Sequence, residues 1–380
     1  MRPEVTLAYR NTLATSDFKL VSRLGLTWLE STRLASLPWL VHAWSTRLGG
    51  ISLGGGASSD LNLGFVSSDD PARVEGNRHR FLKATGTETF SLAVLHQVHS
   101  ADVFQVRLGP SVLEYFPAGS GKHEQKSAHQ SDLSGGSPAQ LSWSQDRRGP
   151  EQCSGDALLT DQAGVLLSVR TADCLPILVV DPRLRAVAAV HAGWRGAAAE
   201  IVRNSVNEMG RVFGSRARDI LAAIGPSIRV CCYEVGKEVK DAFGRFAASD
   251  RYFRETARHA EGRSYSPVVA TPPTEIGEND VGTSSSPALK LPSRGVAVHL
   301  DLVAVACDQL RAAGVPAPNI AVAGFCTACR TDLFFSHRRE GQTGRAMAVI
   351  GIRKSPKHPG EGGELGSQIE ANLPDTFANC

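Results

Sequence analysis

No stretch of about 20 consecutive apolar residues occurs in the chain, so no membrane-spanning helix is expected. The opening residues, Met1 to Arg10, lack the apolar core of a secretory signal, which makes the cytosol the expected compartment. Dense Lys/Arg runs are also missing and the net charge is only +3, a balance that disfavours a nucleic-acid partner. There is no internal repeat of fixed period, so a solenoid is not expected. The eight cysteines are unevenly spaced and include the adjacent pair Cys231-Cys232. That is no disulfide framework, and most of them are expected to be reduced.

What is present is a globular chain, long enough at 380 residues for a sizeable core. Residues 110–152, rich in Ser, Gly and Gln, and residues 256–294, rich in Pro, Thr, Ser and Gly, lose all periodicity and read as surface insertions. The organisation expected is an N-terminal extension over 1–40, one catalytic domain over 41–353 carrying both insertions, and a tail over 354–380. Between the insertions, strand and helix patterns alternate. Strands are expected at Leu63–Val66, Ala101–Val106, Gly164–Val169, Asp219–Ile224, Ile320–Ala323 and Arg345–Ile352. Helical spacing runs from Ala197 to Met209, from Val235 to Phe246 and from Leu300 to Ala313. The class is α+β, with antiparallel pairing.

The most informative segment is a hairpin pattern, Leu175–Asp181 and Leu184–Val190, with Cys174 at its entrance and His191 at its exit. With Pro182 and Arg183 as the central turn residues, Asp181 pairs with Leu184, Ile177 with Ala188 and Cys174 with His191. Cross-strand partners on one face hold their Cβ atoms ~5 Å apart. A thiolate and an imidazole at that separation can bind an ion or act as nucleophile and base. The competing interpretation is a buried small hydrophobe beside a satisfied core histidine. His99, in His96-Gln-Val-His-Ser100, is the third candidate ligand, with His96 as its rival. Two histidines and one cysteine would leave one tetrahedral position on zinc open, as in catalytic sites, and zinc lowers the pKa of a bound water toward ~7.

Other motifs carry less. Cys326-Thr-Ala-Cys329 is a lone CxxC, and Cys307 and Cys380 supply no matching second pair. Arg47 precedes Gly49-Gly50 and Gly54-Gly-Gly56, a loop able to approach an anion, although no Gly-Lys-Ser/Thr follows to make a P-loop. Arg195 and the pair Arg338-Arg339 add to the cationic inventory near these segments.

Taken together, Ser45-Thr-Arg-Leu-Gly-Gly50, Gln97-Val-His99, Asp156-Ala-Leu-Leu-Thr160, Thr171-Ala-Asp-Cys174, Val190-His-Ala-Gly-Trp-Arg-Gly196, Gly225-Pro226, Tyr233-Glu-Val235, Phe334-Phe-Ser336, Arg338-Arg339 and Thr343-Gly-Arg345 make a pattern. The chain resembles the YfiH-like proteins, also called the laccase-domain or polyphenol oxidase family. The resemblance covers residues 40–109, 153–253 and 294–353, with departures at Ser100, Ser227 and His337. It implies an α+β fold of central mixed sheets flanked by helices, with zinc held by His99, Cys174 and His191, copper being the alternative metal. It further implies phosphorolysis of purine nucleosides (adenosine, inosine, methylthioadenosine) to free base and ribose 1-phosphate, together with adenosine deamination. The implied partners are therefore a purine nucleoside and phosphate, with no nucleic acid and no membrane, and the oligomeric state is left open. Arg47 and Arg195 are the candidates for phosphate, and Asp173 for proton transfer. Two alternatives use the same residues: a Cys-His amide hydrolase acting on cell-wall precursors, and a copper-dependent polyphenol oxidase. Against a true multicopper enzyme stand the lack of any His-x-His pair and a total of only 11 histidines.

Overall fold

Strand Leu175–Asp181 is buried at every position because both of its faces are covered. Leu178 and Val180 point into one apolar cluster, and Ile177 and Val179 point into another. The partner strand Ala186–Ala192 divides likewise, Val187 and Ala189 on one side and Ala188 and Val190 on the other. A period of two with apolar residues on both faces is what a central strand requires, and it explains the unbroken apolar run. The computed structural model describes residues 17–53, 59–110, 112–118, 153–257 and 296–354.

This hairpin is the middle of a seven-stranded mixed sheet. Its strands in spatial order are Ile320–Val322, Leu221–Ile224, Leu175–Asp181, Ala186–Ala192, Ala157–Thr160, Val103–Leu108 and Leu113–Pro117. A second sheet of six strands runs Phe18–Arg23, Leu26–Ser31, Leu40–Ser45, Ala346–Ile352, Val165–Thr171 and Ser91–Ala93. The two sheets pack on one another through Trp44, Leu167, Val169, Leu178, Val180, Val187 and Ile350. The outer face of the six-stranded sheet is covered by helix Pro71–Thr85, through Phe81 and Leu82. That of the seven-stranded sheet is covered by helices Ile201–Phe213 and Leu302–Ala312, through Val202, Val206, Val305 and Leu310. The order of layers is therefore helix, sheet, sheet, helices, and the α+β class with mixed sheets is confirmed. A three-stranded sheet of Glu234–Val235, Val296–Leu300 and Phe253–Ala257 lies beside this stack.

Helix boundaries follow from local chemistry. Asp70 accepts the Ala72 N–H at 2.9 Å, Pro71 opens the first turn, and Gly86 closes the helix in the left-handed region at φ +68°. Asp301 caps helix Leu302–Ala312 through the Ala304 N–H at 3.0 Å.

Several expectations need correction. The hairpin register is shifted by two residues: Asp181 pairs with Ala186, Val179 with Ala188 and Pro176 with His191. The cause is a four-residue connection in place of a two-residue turn. The Asp181 carboxylate accepts the N–H groups of Arg183 and Leu184, at 2.9 and 3.1 Å, and Arg185 takes a left-handed φ of +54°. Leu63–Val66 forms no strand, because its polar groups go elsewhere: Leu63 N–H to the Arg345 carbonyl, Leu63 carbonyl to Arg78 Nε, Gly64 N–H to Asn62 Oδ1. The helix expected from Ala197 is two helices, Trp194–Ala198 and Ile201–Phe213, broken where Glu200 adopts φ +63°. At the break the Ala197 carbonyl accepts the Glu200 N–H and Gln309 Nε2 instead of continuing the helical ladder.

The insertion expected over 110–152 begins as the edge strand Leu113–Pro117, paired with Val103–Leu108, and that expected over 256–294 begins within strand Phe253–Ala257. Residues 119–152 and 258–294, and the tail beyond Lys354, lie outside the described residues. Residues 18–40 bring two strands to the six-stranded sheet.

Leu178 is fully buried between the two sheets. Leu178→Ala is expected to destabilise the protein by about 2–5 kcal/mol, through lost transfer free energy and a cavity that two rigid sheets cannot collapse. A shift of the denaturant midpoint at unchanged slope checks this.

Candidate metal centre

Three segments end at one rim of the double sheet: the turn after Leu95, the turn entering strand Leu175–Asp181, and the end of strand Ala186–Ala192. They bring together the ligand atoms of His99, Cys174 and His191, all within 4.8 Å of one another. His99 Nε2 stands 3.7 Å from Cys174 Sγ, and the two imidazole rings meet edge to face with centroids 5.0 Å apart. His96, the rival ligand, is absent from this group; its backbone pairs with Cys153 and Gly155 in a parallel bridge.

Each donor is held by a specific device. His191 is buried, and its Nδ1 bonds the Asp156 carboxylate at 2.7 Å, which leaves Nε2 to face the cluster. The second oxygen of Asp156 accepts the Ser100 N–H at 2.5 Å and the Val98 N–H at 3.3 Å. These two bonds bracket His99, whose φ of +61° would otherwise be costly for a residue with a side chain. Cys174 follows Asp173, which is more strained still at φ +104°. The Asp173 carboxylate offsets that strain by accepting from Thr327 Oγ1, Ser336 Oγ and the Arg338 N–H, each at 2.7 Å. Gly193 passes directly over the site. A Cβ there would lie 2.4 Å from His99 Cδ2 and 3.1 Å from Cys174 Sγ, so this position admits only glycine.

The electrostatics follow the geometry. Burial opposes charge on Cys174, yet His191 and His99 outweigh it and lower the thiol to about 6. Burial likewise disfavours an imidazolium at His191, but the Cys174 thiolate and Asp156 raise it to about 9. Without a metal, the pair at neutral pH is thiolate and imidazolium. Two imidazole nitrogens and a thiolate converging on one point, with a carboxylate behind one ring, fit a zinc or copper ion.

The three remaining predicted site residues fall differently. Asp173 adjoins Cys174, with both carboxylate oxygens engaged as described. Arg47 is enclosed: Nε and Nη2 bond the two oxygens of Asp60 at 3.1 and 2.7 Å, and Nη1 bonds Glu340 at 2.7 Å and the Thr331 carbonyl at 2.8 Å. Its guanidinium also lies 4.7 Å from the Phe335 ring centre. Gly49-Gly50 serves packing, since a Cβ on Gly50 would meet the Asp60 carbonyl at 2.0 Å. Arg195 is exposed, stacks on the Trp194 ring at 4.3 Å, and pairs with no acidic side chain among the described residues. The residue that sequence reasoning passed over is Asp156. Its place at the head of Asp156-Ala-Leu-Leu-Thr160 was visible, but its pairing with a histidine 35 positions later was not.

Comparison with known proteins agrees with this architecture. Residues 41–353 match the family model described as multi-copper polyphenol oxidoreductase laccase. A purine nucleoside phosphorylase of Deinococcus radiodurans is 32% identical over 341 residues, covering 90% of this chain and 97% of that protein. Adenosine deaminase RL5, from an unknown prokaryotic organism, is 32% identical over 311 residues, covering 82% and 93%. The crystal structure of YlmD from Geobacillus stearothermophilus superposes with a TM-score of 0.61 at 28% identity, covering 88% of this chain and 99% of that one.

Metal binding at this rim must displace protons. Between about pH 6 and 9 the apo pair carries one proton, on His191, and ligation removes it; below about 6 Cys174 carries another. Zinc affinity is expected to fall about tenfold per pH unit from 9 to 6 and more steeply below. Titration calorimetry of apo-protein in buffers of different ionisation enthalpy measures the protons released, and a pH-independent affinity would contradict the ligand set.

Proposed function

Because the chain belongs to the multi-copper polyphenol oxidoreductase laccase family, whose YfiH-like structures share its fold, we propose that it is a purine nucleoside phosphorylase with a second, adenosine-deaminating activity. The observation that carries this reading is the convergence of His99, Cys174 and His191 at an accessible rim. Three protein ligands leave a fourth tetrahedral position for water or substrate, which is the mark of a catalytic and not a structural centre. A zinc ion held there supplies a Lewis acid and activates water at neutral pH. The relatives named as a purine nucleoside phosphorylase and an adenosine deaminase support both activities at the level of the family.

The chain's own residues divide the work. Asp156 fixes the His191 tautomer and the His99 backbone, so the donors keep their geometry through the reaction. Phosphorolysis breaks the ribose C–N bond, forms a C–O bond to phosphate and sends a proton to the departing base. It needs a cation where phosphate enters. Arg195, exposed on its Trp194 platform beside Gly193, is better placed for this than Arg47, which would have to leave Asp60 and Glu340. Asp173 holds the turn before Cys174; a proton-transfer role for it would require Thr327, Ser336 or the Arg338 amide to yield. In deamination water adds to the purine carbon bearing the amine and ammonia leaves. The partners are then a purine nucleoside and phosphate, and zinc is the proposed metal.

Incubating the holoprotein with adenosine, inosine and methylthioadenosine, with and without phosphate, tests the reading. Free base and the sugar 1-phosphate (ribose 1-phosphate, or 5-methylthioribose 1-phosphate from methylthioadenosine) are expected only with phosphate, and inosine from adenosine in either case. Arg195→Ala removes a charge-assisted contact of about 1.5–3 kcal/mol, so phosphorolysis is expected to fall about 10- to 150-fold and deamination much less. Equal losses in both reactions would move Arg195 out of the phosphate site.

One observation favours a second reading. Cys174 at about 6, His191 at about 9 and Asp156 in line behind the imidazole also form the arrangement of a cysteine nucleophile with an oriented base. A ligand thiolate is expected to resist iodoacetamide until a chelator strips the metal. Rapid alkylation of holoprotein with loss of activity would support the amide hydrolase instead.

A further inference from the structure

A second convergence lies outside the rim. Cys231, Cys232, Cys326 and Cys329 bring their four sulfurs within 4.8 Å of one another. The lone CxxC thus has its matching pair in the adjacent cysteines about 95 positions earlier, where the sequence offered no spacing to reveal it. We propose that these four cysteines form a closed tetrathiolate zinc site, separate from the His99, Cys174 and His191 centre and structural in purpose.

The geometry suits a single ion. Cys329 Sγ stands 3.6 Å from Cys231 Sγ and 3.3 Å from Cys232 Sγ. Four thiolates at a Zn–S distance of ~2.3 Å lie about 3.8 Å apart along the tetrahedron's edges. A disulfide would use two of these sulfurs and leave two thiols stranded against it, whereas an ion uses all four. Sulfur-only donors select zinc among the common divalent ions, and with four protein ligands no position remains open.

The surroundings are those of a thiolate site. The Arg229 N–H points at Cys326 Sγ from 3.4 Å, and Arg339 Nη2 lies 3.9 Å from Cys232 Sγ while Arg339 Nε holds the Ala328 carbonyl. His299 Nδ1 donates to the Val230 carbonyl at 2.7 Å, which fixes the backbone just before Cys231. Ile228 and Ala328 close the apolar side. Positive groups and N–H donors around sulfur, with an apolar cover, keep thiolates charged and ligands oriented.

Its purpose is visible in what the two loops grip. They are joined by a parallel bridge between Ser227 and Cys326, and both reach the strained turn before Cys174. Ile228 N–H donates to the Asp173 carbonyl at 2.8 Å, and Thr327 Oγ1 donates to the Asp173 carboxylate at 2.7 Å. An ion that clamps the loops therefore clamps Asp173, and through it the position of Cys174.

The test uses full-length protein in which the rim centre has been removed by His99→Ala/His191→Ala, so that failure of the proposed function does not decide it. Elemental analysis is expected to find one zinc per chain still bound. Replacement by cobalt should give the intense sulfur-to-metal absorption of a tetrathiolate centre. Mass spectrometry after alkylation should show Cys231, Cys232, Cys326 and Cys329 protected until a chelator is added. Adding Cys326→Ser/Cys329→Ser should abolish the remaining zinc. Should that variant fail to fold, chelator titration of the His99→Ala/His191→Ala protein alone decides the matter. Absence of zinc there, iron in its place, or a Cys231–Cys329 or Cys232–Cys329 disulfide in freshly purified protein would overturn the proposal.

Discussion

The Asp156 carboxylate governs the rim. One oxygen bonds the His191 imidazole and the other receives the amides that flank His99, so a single buried side chain sets two donors at once. Its own backbone completes the tie, the Asp156 N–H reaching the Asp102 carbonyl and its carbonyl taking the His191 N–H at 2.8 Å. Burial of a carboxylate is costly unless it is fully paired, and here the pairing partners are the functional groups themselves. Stability and function are thus joined in one residue: a variant that loses the charge leaves a buried imidazole and two amides unsatisfied. Such coupling explains why the geometry can stay fixed at a rim made of loops.

Much of the fold was legible because the strands obey a simple rule. Apolar runs such as Leu175–Asp181 and Ala346–Ile352 are covered on both faces, and helices such as Ile201–Phe213 show one apolar stripe. The three candidate ligands that the structure brings together, His99, Cys174 and His191, were legible as motifs at strand ends and turns. What escaped was decided by side chains acting on the backbone: Asp181 lengthened the hairpin connection, Gln309 took the Ala197 carbonyl where helix Trp194–Ala198 ends, and Asn62 and Arg78 took the polar groups of the Leu63 segment. Those partners are distant or of ordinary type, so no local pattern announces them. The Cys231-Cys232 and Cys326-Cys329 pairs escaped for the same reason, since long-range contacts such as the bridge between Ser227 and Cys326 align them.

The double-sheet core also explains where strain can be kept. His99, itself a donor, and Asp173, which precedes the donor Cys174, hold positive-φ backbones, and each is fastened by hydrogen bonds from elements that the sandwich fixes in place. A softer scaffold would let such turns relax, at a gain of a few kcal/mol for the two together. Rigid strands on one side and anchored loops on the other hold the donor atoms within 4.8 Å of one another.

The donors of the rim come from segments far apart in the chain, His99 and Cys174 being 75 positions distant. Strand Val103–Leu108, just after His99, joins strand Ala157–Thr160 in parallel, a contact that can form only after a long loop has closed. Local hairpins such as Leu175–Ala192 close early by comparison. Contact order therefore predicts that the rim is completed late in folding, with the Cys174 and His191 hairpin formed before His99 joins it. A metal bound by all three donors would then report completed topology, because the donors meet only once the long loop has closed.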